Sequence, residues 1–188
     1  MSHVENIRAA IIGGSESGKT TLAVGFSRGL WNRYRLRSLV FYPWLREKRR
    51  KPIQWGPQAW VTDDFAHWKR VVSSVEDCAA IWDEATSHGG RDSDNVPLLT
   101  EIRHRHPVLV QIGHYHASIL PGMRVNLTGL YLAAADPDDA AEWAKTMKDP
   151  AVKQAAGLDQ YQFLKKRPFK PVEVLRYSES EIYAGILP

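Results

Sequence analysis

Residues 7–21 read IRAAIIGGSESGKTT and place three kinds of local structure next to one another. Residues 7–12, which are apolar apart from Arg8, predict a β-strand, and Gly13 and Gly14 follow it directly. From residue 19 onward, apolar side chains recur at helical spacing, which predicts a helix over residues 19–31. A strand, a glycine-rich turn and a helix in direct succession are typical of α/β domains.

The turn matches the Walker A pattern G-x-x-x-x-G-K-[ST] of phosphate-binding loops. Its glycines let backbone N–H groups converge on a phosphate, and the helix N-terminus adds positive potential. Lys19 can reach the β- and γ-phosphates, and the Thr20 hydroxyl can ligate Mg²⁺. A chance glycine turn is the alternative, which the flanking strand and helix disfavour. The predicted nucleotide-binding residues are Gly14, Ser15, Glu16, Ser17, Gly18, Lys19, Thr20 and Thr21.

A pair of acidic residues ends another apolar run, because residues 78–84 read CAAIWDE. Residues 78–82 predict a strand buried on both faces, whose carboxyl end lies beside the phosphate-binding loop, as in a Walker B motif. We expect Asp83 to hold the magnesium shell and Glu84 to orient or deprotonate the attacking water. Acids that merely cap a helix are the alternative interpretation.

Further strands and helices alternate along the chain. Additional strands are predicted at residues 38–42, 108–112 and 130–135. Additional helices are predicted from Asp63 or Asp64 as N-cap, over 96–103, and from 136 through 143. Residues 46–57 and 87–95 predict loops, and the tail from Tyr161 predicts short edge strands. This alternation predicts an α/β fold with a mainly parallel sheet.

Arginine and histidine flank the predicted strand 108–112, since residues 103–107 read RHRHP and residues 113–116 read GHYH. Polar groups at the carboxyl end of this strand can sense a γ-phosphate. An arginine at its start lies too far from its own nucleotide, but it can reach that of a neighbouring subunit in a ring. A zinc site built from these histidines is an alternative, and neutral, solvated histidines are the simpler interpretation.

Composition excludes several classes of protein. The 188 residues are 44% hydrophobic and 24% charged, which is typical of globular proteins rather than disordered ones. One cysteine excludes an intrachain disulfide framework and fits a reducing compartment. We see neither a secretion signal nor an apolar run of the roughly 20 residues that a membrane span needs. We expect a single domain over 1–188, with its core at 7–135 and a C-terminal helix and edge strands at 136–188.

The net charge of +4 is unevenly distributed. Residues 28–51 contain nine basic residues and one acid, and residues 145–176 contain eight basic residues and three acids. Residues 62–101 reverse the balance, with nine acids and three basic residues. Basic segments attract phosphate backbones, and a solvated surface is the alternative interpretation.

Together these features resemble the FtsK–HerA superfamily of P-loop ATPases, in particular the small genome-packaging ATPases of membrane-containing icosahedral viruses. The resemblance covers about residues 7–135. It rests on residues 13–20, 81–84 and 105–107, and on the proline-then-arginine stretch 120–124. It implies a RecA-like three-layer sandwich of the additional-strand, catalytic-glutamate class, built around a mainly parallel sheet.

The resemblance also implies a function, namely translocation of double-stranded DNA through a homo-oligomeric ring, a pentamer or hexamer, driven by hydrolysis of ATP with Mg²⁺. A portal or vertex capsid protein would be the docking partner, in the host cytoplasm or at the virion vertex. The basic segments 46–51 and 165–167 become candidate DNA or partner contacts. The implied catalytic residues are Lys19, Glu84, His114 as phosphate sensor and Arg105 as an arginine finger acting in trans.

Two of these roles have competing candidates. Arg103 and Arg124 compete with Arg105 for the finger. Tyr115 and His116 compete with His114 for the sensor, where many relatives carry glutamine or asparagine.

Two other functions remain open. A small-molecule kinase of the P-loop class would carry an arginine-rich lid, for which residues 46–51 could be mistaken, and it would not need Glu84 beside Asp83. A nucleotide-regulated assembly protein with slow hydrolysis is the other. A GTPase is disfavoured because the chain contains no N-K-x-D motif.

Overall fold

A computed structural model of the chain describes residues 6–47, 52–88 and 93–188. In these residues an eight-stranded sheet has the spatial order β3-β2-β4-β5-β1-β6-β7-β8. The strands are β1 (Ile7–Ile12), β2 (Ser38–Phe41), β3 (Ala59–Thr62), β4 (Ala79–Trp82), β5 (Val108–Gly113), β6 (Gly129–Leu132), β7 (Gln162–Lys166) and β8 (Glu173–Arg176). The first six strands are parallel, and β7 and β8 join antiparallel at one edge. The predicted α/β fold with a mainly parallel sheet is confirmed.

Strand β5 lies between the strand before the glycine-rich turn and the strand before the acidic pair. Ile12 of β1 is in register with Gly113 of β5, and Trp82 of β4 is in register with Gln111. Because these strands are parallel, their carboxyl ends lie side by side at one edge of the sheet. The residues that follow each of the three strands therefore converge there.

The helices lie on both faces of this sheet. They are α1 (Lys19–Tyr34), α2 (Phe65–Ser74), α3 (Val96–Arg105), α4 (Pro121–Arg124), α5 (Pro137–Met147) and α6 (Glu179–Ala184). Asp64 caps α2 by accepting a 2.9 Å hydrogen bond from His67 N, and Asp136 caps α5 in the same way from Asp138 N. Both helix starts lie where the sequence predicted them.

Alternate side chains along each strand pack into two separate apolar cores, one on each face of the sheet. Ala10 and Ile12 point to the face covered by α2, α3 and α5, where Trp68 and Trp143 are fully buried. Ala9 and Ile11 point to the opposite face, which α1 covers. Helices, sheet and helices thus form three layers.

Strand β3 and helices α4 and α6 were not predicted from the sequence. Strand β3 extends the sheet beyond β2, and its four residues are too few to give a clear periodic pattern. Helix α6 packs against α1, where Gly29 is required because a Cβ there would lie 2.0 Å from the carbonyl oxygen of Ile186. The C-terminal segment therefore crosses α1 at backbone contact distance, a long-range contact that local sequence does not reveal.

Several predicted bounds shift by a few residues. Helix α1 continues to Tyr34, and the predicted strand 130–135 is limited to Gly129–Leu132. Within the predicted loop 87–95, Ser93–Asn95 form a 3-10 turn. Residues 48–51 of the basic segment and 89–92 of that loop lie outside the described residues. Among the described helices, none combines the length and apolarity needed to cross a membrane.

Candidate active site

The glycine-rich turn connects β1 to α1 with a backbone that needs glycine at two points. Gly18, the N-cap residue of α1, lies in the left-handed region at φ 89°, which is strained for other residues. A Cβ on Gly13 would lie 2.7 Å from Cβ of Ala133 on the neighbouring segment. No described side chain caps the first turn of α1, so its leading N–H groups are available to an anion. A turn of this geometry can receive a phosphate group.

Lys19 points back into this loop, where its Nζ donates a 2.6 Å hydrogen bond to the carbonyl oxygen of Gly14. The side chain is largely buried, and desolvation lowers the pKa of its ammonium group, while the nearby Asp83 and Glu84 carboxylates oppose that shift. A phosphate oxygen entering the loop would place a negative charge beside this ammonium group and offset the unfavourable effect of its burial.

Thr20 and Asp83 form the second part of the site. Thr20 Oγ1 donates a 2.8 Å hydrogen bond to Asp83 Oδ2, and Asp83 is only 3% exposed. Burial raises the pKa of Asp83 to about 6, although its hydrogen bonds from Thr20 and from the backbone N–H of Glu84 oppose the shift. A hydroxyl and a desolvated carboxylate are hard oxygen ligands, so this pair fits Mg²⁺.

Glu84 follows Asp83 in the left-handed region, at φ 56°. Its backbone N–H donates a 2.7 Å hydrogen bond to Asp83 Oδ1, which ties the turn to the end of β4. Its carboxylate contacts His114, with Nε2 3.0 Å from Oε1 and 3.2 Å from Oε2. The acid after β4 and the imidazole after β5 therefore meet over the loop.

The loop after β5 separates the three sensor candidates. The backbone N–H of His114 donates a 3.0 Å hydrogen bond to Thr86 Oγ1, which fixes the residue beside Glu84. Tyr115 is 37% exposed. His116 turns toward α5, where its ring packs edge-on against Trp143 at 4.7 Å between centroids. Of the three, His114 lies in the cleft.

The cleft has a volume of about 700 Å³ and is lined by residues of the phosphate loop together with Asp83, Glu84 and His114. The structure thus brings together the predicted residues Ser15 to Thr21, while Gly14 contributes the carbonyl that holds Lys19. Three further lining residues were missed: Trp44, Gln160 and Tyr161. Tyr161 precedes β7, and no local motif marks a residue that reaches the loop from so far along the chain.

The predicted arginine finger lies at the opposite edge of the sheet, at the end of α3. Arg105 pairs with Glu101 at 3.1 Å and with Glu76 at 3.2 Å, both on its own chain. The pair with Glu101 is the i−4 contact expected of a helix surface. Arg103 is exposed nearby, and Arg124 contacts the ring of His116.

His106, within the same arginine–histidine run, has a structural role. It is 1% exposed, and its Nε2 donates a 2.8 Å hydrogen bond to the carbonyl oxygen of Val72. Its Nδ1 accepts a 3.3 Å hydrogen bond from the backbone N–H of Cys78. Burial lowers the pKa of this imidazole, so it remains neutral while joining α2 to the start of β4. Within the described ranges, no group of three or more acidic, histidine or cysteine side chains is arranged to hold a metal ion.

The basic segment 165–167, on the β7–β8 hairpin, presents less positive charge to solvent than the sequence predicted. Lys166 is 6% exposed, and its Nζ donates hydrogen bonds to Asp149 Oδ2 at 2.6 Å and to the carbonyl oxygen of Lys170 at 2.5 Å. The ammonium group of Lys166 is therefore taken up by contacts within the chain, and the role of residues 165–167 as a DNA or partner contact stays a prediction. Arg167 remains at the surface, paired with Glu173 at 3.1 Å.

Comparison with solved structures finds the same fold in the genome-packaging NTPase B204 of Sulfolobus turreted icosahedral virus 2. Its complex with AMPPCP gives a TM-score of 0.70 at 15% sequence identity, covering 92% of this chain and 98% of that chain. Its complex with ATP-gammaS gives 0.67 at 13% identity over the same shares. B204 from Sulfolobus turreted icosahedral virus, a DNA-packaging ATPase, gives 0.66 at 15% identity, again over 92% and 98%.

No protein-family model matches the chain, and no curated protein matches it. At these identities the likeness is one of fold. The sequence predicted a resemblance to small genome-packaging ATPases, and the shared fold confirms that resemblance. This chain has the architecture of B204 over nearly its whole length.

Proposed function

We propose that this chain is an ATP-hydrolysing DNA translocase that packages a viral genome as one subunit of a homo-oligomeric ring. The observation that carries the proposal is the convergence of Lys19, Asp83 and Glu84 in one cleft. A fold shared with packaging NTPases solved with AMPPCP and ATP-gammaS supports the same conclusion. The position of β5 between β1 and β4 supports assignment to the additional-strand, catalytic-glutamate class.

Binding uses the loop and its flanking oxygens. The N–H groups at the start of α1 and the Lys19 ammonium group receive the β- and γ-phosphates. Thr20 and Asp83 would hold Mg²⁺, which would supply charge neutralisation to the phosphates. The Lys19 ammonium exchanges the carbonyl oxygen of Gly14 for a phosphate oxygen when ATP enters.

Hydrolysis requires a base beside the γ-phosphate, and we assign this role to Glu84, which lines the cleft. The carboxylate accepts a proton from water as the water oxygen bonds to the γ-phosphorus, and the bond from that phosphorus to the bridging oxygen breaks to give ADP and phosphate. His114 pairs with Glu84 in this structure. We assign His114 as the phosphate sensor, because an imidazole N–H that turns to the γ-phosphate releases the carboxylate for the water.

The ring completes the site. Arg105 lies at the edge of the sheet opposite its own cleft, so it would act on the nucleotide of the neighbouring subunit. A portal or vertex capsid protein is the proposed docking partner, in the host cytoplasm or at the virion vertex. Residues 46–51 are the proposed DNA contact; Arg46 and Glu47 lie within the described residues, and Arg46 forms an ion pair with Asp63 at 3.1 Å.

The decisive experiment is ATP hydrolysis by the purified chain with and without double-stranded DNA, with Lys19→Ala as the inactive control. A translocase is expected to be stimulated by DNA, and the control should lose both ATP binding and hydrolysis. An ATP turnover rate that is unaffected by DNA but increases when a small phosphoryl acceptor is added would identify a kinase. Tight ATP binding with slow turnover under every condition would identify a nucleotide-regulated assembly protein.

A further inference from the structure

The order of the strands indicates at which end of the cleft the proposed hydrolysis takes place. Glu84 follows β4 and His114 follows β5, and both strands lie on the same side of β1 in the sheet. The γ-phosphate must lie at this end, because the acid that activates water has to be within reach of it. The rest of a bound nucleotide therefore extends away from Glu84.

A turn that precedes β7 borders the cleft from the other side of β1, where β6 and β7 lie. Gln160 and Tyr161 line the same cleft from this side. The turn is fastened to the phosphate loop, since Gln160 Nε2 donates a 2.9 Å hydrogen bond to the carbonyl oxygen of Glu16. It is also closed on itself, because Gln162 Nε2 donates a 2.8 Å hydrogen bond to Asp159 Oδ2.

Tyr161 is held in an unusual position within this turn. Its backbone lies in the left-handed region at φ 59°, which carries strain for an aromatic residue. Its ring packs directly on the start of α1, because a Cβ on Gly18 would lie 2.7 Å from its Cδ1 and 2.9 Å from its Cε1. The ring is half-buried and borders the cleft, so one part rests on the loop while another meets the cavity.

We propose that the Tyr161 ring is the platform for the nucleoside of the bound nucleotide, and so the residue that makes this cleft prefer a nucleoside triphosphate to inorganic tripolyphosphate. An aromatic ring gives a base or ribose a flat apolar surface, and the fixed turn holds that surface in place before the ligand arrives. The inference rests on the proposed binding of ATP. It adds the residue that recognises the nucleoside, which is the part of ATP distant from the γ-phosphate.

The test compares two ligands on the full chain, Mg-ATP and magnesium tripolyphosphate, with affinities measured by calorimetry. Tyr161→Asn removes the ring and keeps a residue that tolerates the left-handed backbone. We expect about a tenfold loss of ATP affinity, the scale of one aromatic–base contact, with tripolyphosphate affinity unchanged. Tyr161→Phe should retain ATP affinity, because it retains the ring.

A matched control is available on the β7–β8 hairpin. Phe169 is also aromatic and also lies at φ 59°, but it is fully exposed and does not line the cleft. Phe169→Asn should leave both affinities unchanged.

Equal losses of ATP and tripolyphosphate affinity in Tyr161→Asn would overturn the inference, since the ring would then only support the loop. Retention of full ATP affinity would overturn it as well. In either case the proposed ATPase function would stand, whereas a wild-type chain that binds neither ligand would overturn both.

Discussion

The imidazole of His114 lies against the carboxylate of Glu84, with Nε2 3.0 Å from one carboxylate oxygen and 3.2 Å from the other. The two residues are 30 positions apart and follow different strands, and the parallel register of β4 and β5 brings them together. The contact joins the proposed catalytic base to the proposed sensor, so the γ-phosphate and the base compete for one imidazole.

Replacing Glu84 by glutamine should preserve ATP binding and nearly abolish turnover. The amide keeps the shape of the side chain but cannot accept the proton of water. Binding and single-turnover hydrolysis should be measured on the same preparation. Hydrolysis at the wild-type rate would show that another group is the base.

The substitution Arg105→Ala should leave ATP binding nearly intact and lower hydrolysis by orders of magnitude, as expected of an arginine finger. Its pairs with Glu101 and Glu76 are surface ion pairs, which stabilise a protein by less than about 1 kcal/mol each, so Arg105 can exchange them for a neighbouring nucleotide. The exposed Arg70 on α2 provides the control variant Arg70→Ala.

Mixed rings separate a role in trans from a role in cis. Subunits with Arg105→Ala and subunits with Glu84→Gln are each inactive alone, but a mixed interface can pair an intact Glu84 with an intact Arg105. Recovered activity is expected. Demonstrably mixed rings that stay inactive would contradict the assignment, and the same measurement applied to Arg103→Ala and Arg124→Ala would then test the competing residues.

Neutralising Arg49, Arg50 and Lys51 together should weaken DNA binding and flatten its salt dependence. Each lost phosphate contact lowers the log–log slope of affinity against salt by about 0.9 for duplex DNA. Neutralising three exposed lysines of the other basic segment, Lys145, Lys148 and Lys153, tests whether the effect is specific to residues 49–51. If the slope is unaltered, this segment is a solvated surface.

The surroundings of His116 predict a pH-dependent stability. Burial, with a smaller contribution from the positive charge of Arg124, lowers the pKa of His116 from 6.5 to about 4, and Glu142 opposes the shift. Its backbone N–H is bound to Asp139. Between pH 6.5 and 4 the unfolded chain binds this proton while the folded protein does not, so the free energy of unfolding falls as the pH falls.

Solvent screening moderates the effect at this half-buried site. We expect His116 to account for a loss of about 1 kcal/mol between pH 7.5 and 5. Denaturant unfolding of wild type and His116→Gln at both pH values measures it, because the stability advantage of the wild type should narrow in acid. The exposed His104→Gln is the control. An advantage that stays constant from pH 7.5 to 5 would contradict the low pKa.

The sequence by itself determined the phosphate loop, the acidic pair and, apart from β3 and α4, the strands and helices through α5. These depend on local chemistry. Gly18 permits a left-handed turn, Asp64 and Asp136 cap the helices that follow them, and the apolar run ending at Trp82 has to be buried on both faces.

Tertiary structure alone decided which side chains share the cleft and which charges reach solvent. His114 rather than His116 faces Glu84, Lys166 is enclosed by Asp149, and Tyr161 rests on Gly18. Each of these contacts joins residues from separate elements, and it is set by the register of neighbouring strands and the path of the chain between them. Local propensity carries no information on such distances, so the contact between Glu84 and His114 and the position of Tyr161 beside Gly18 became visible only in the folded chain.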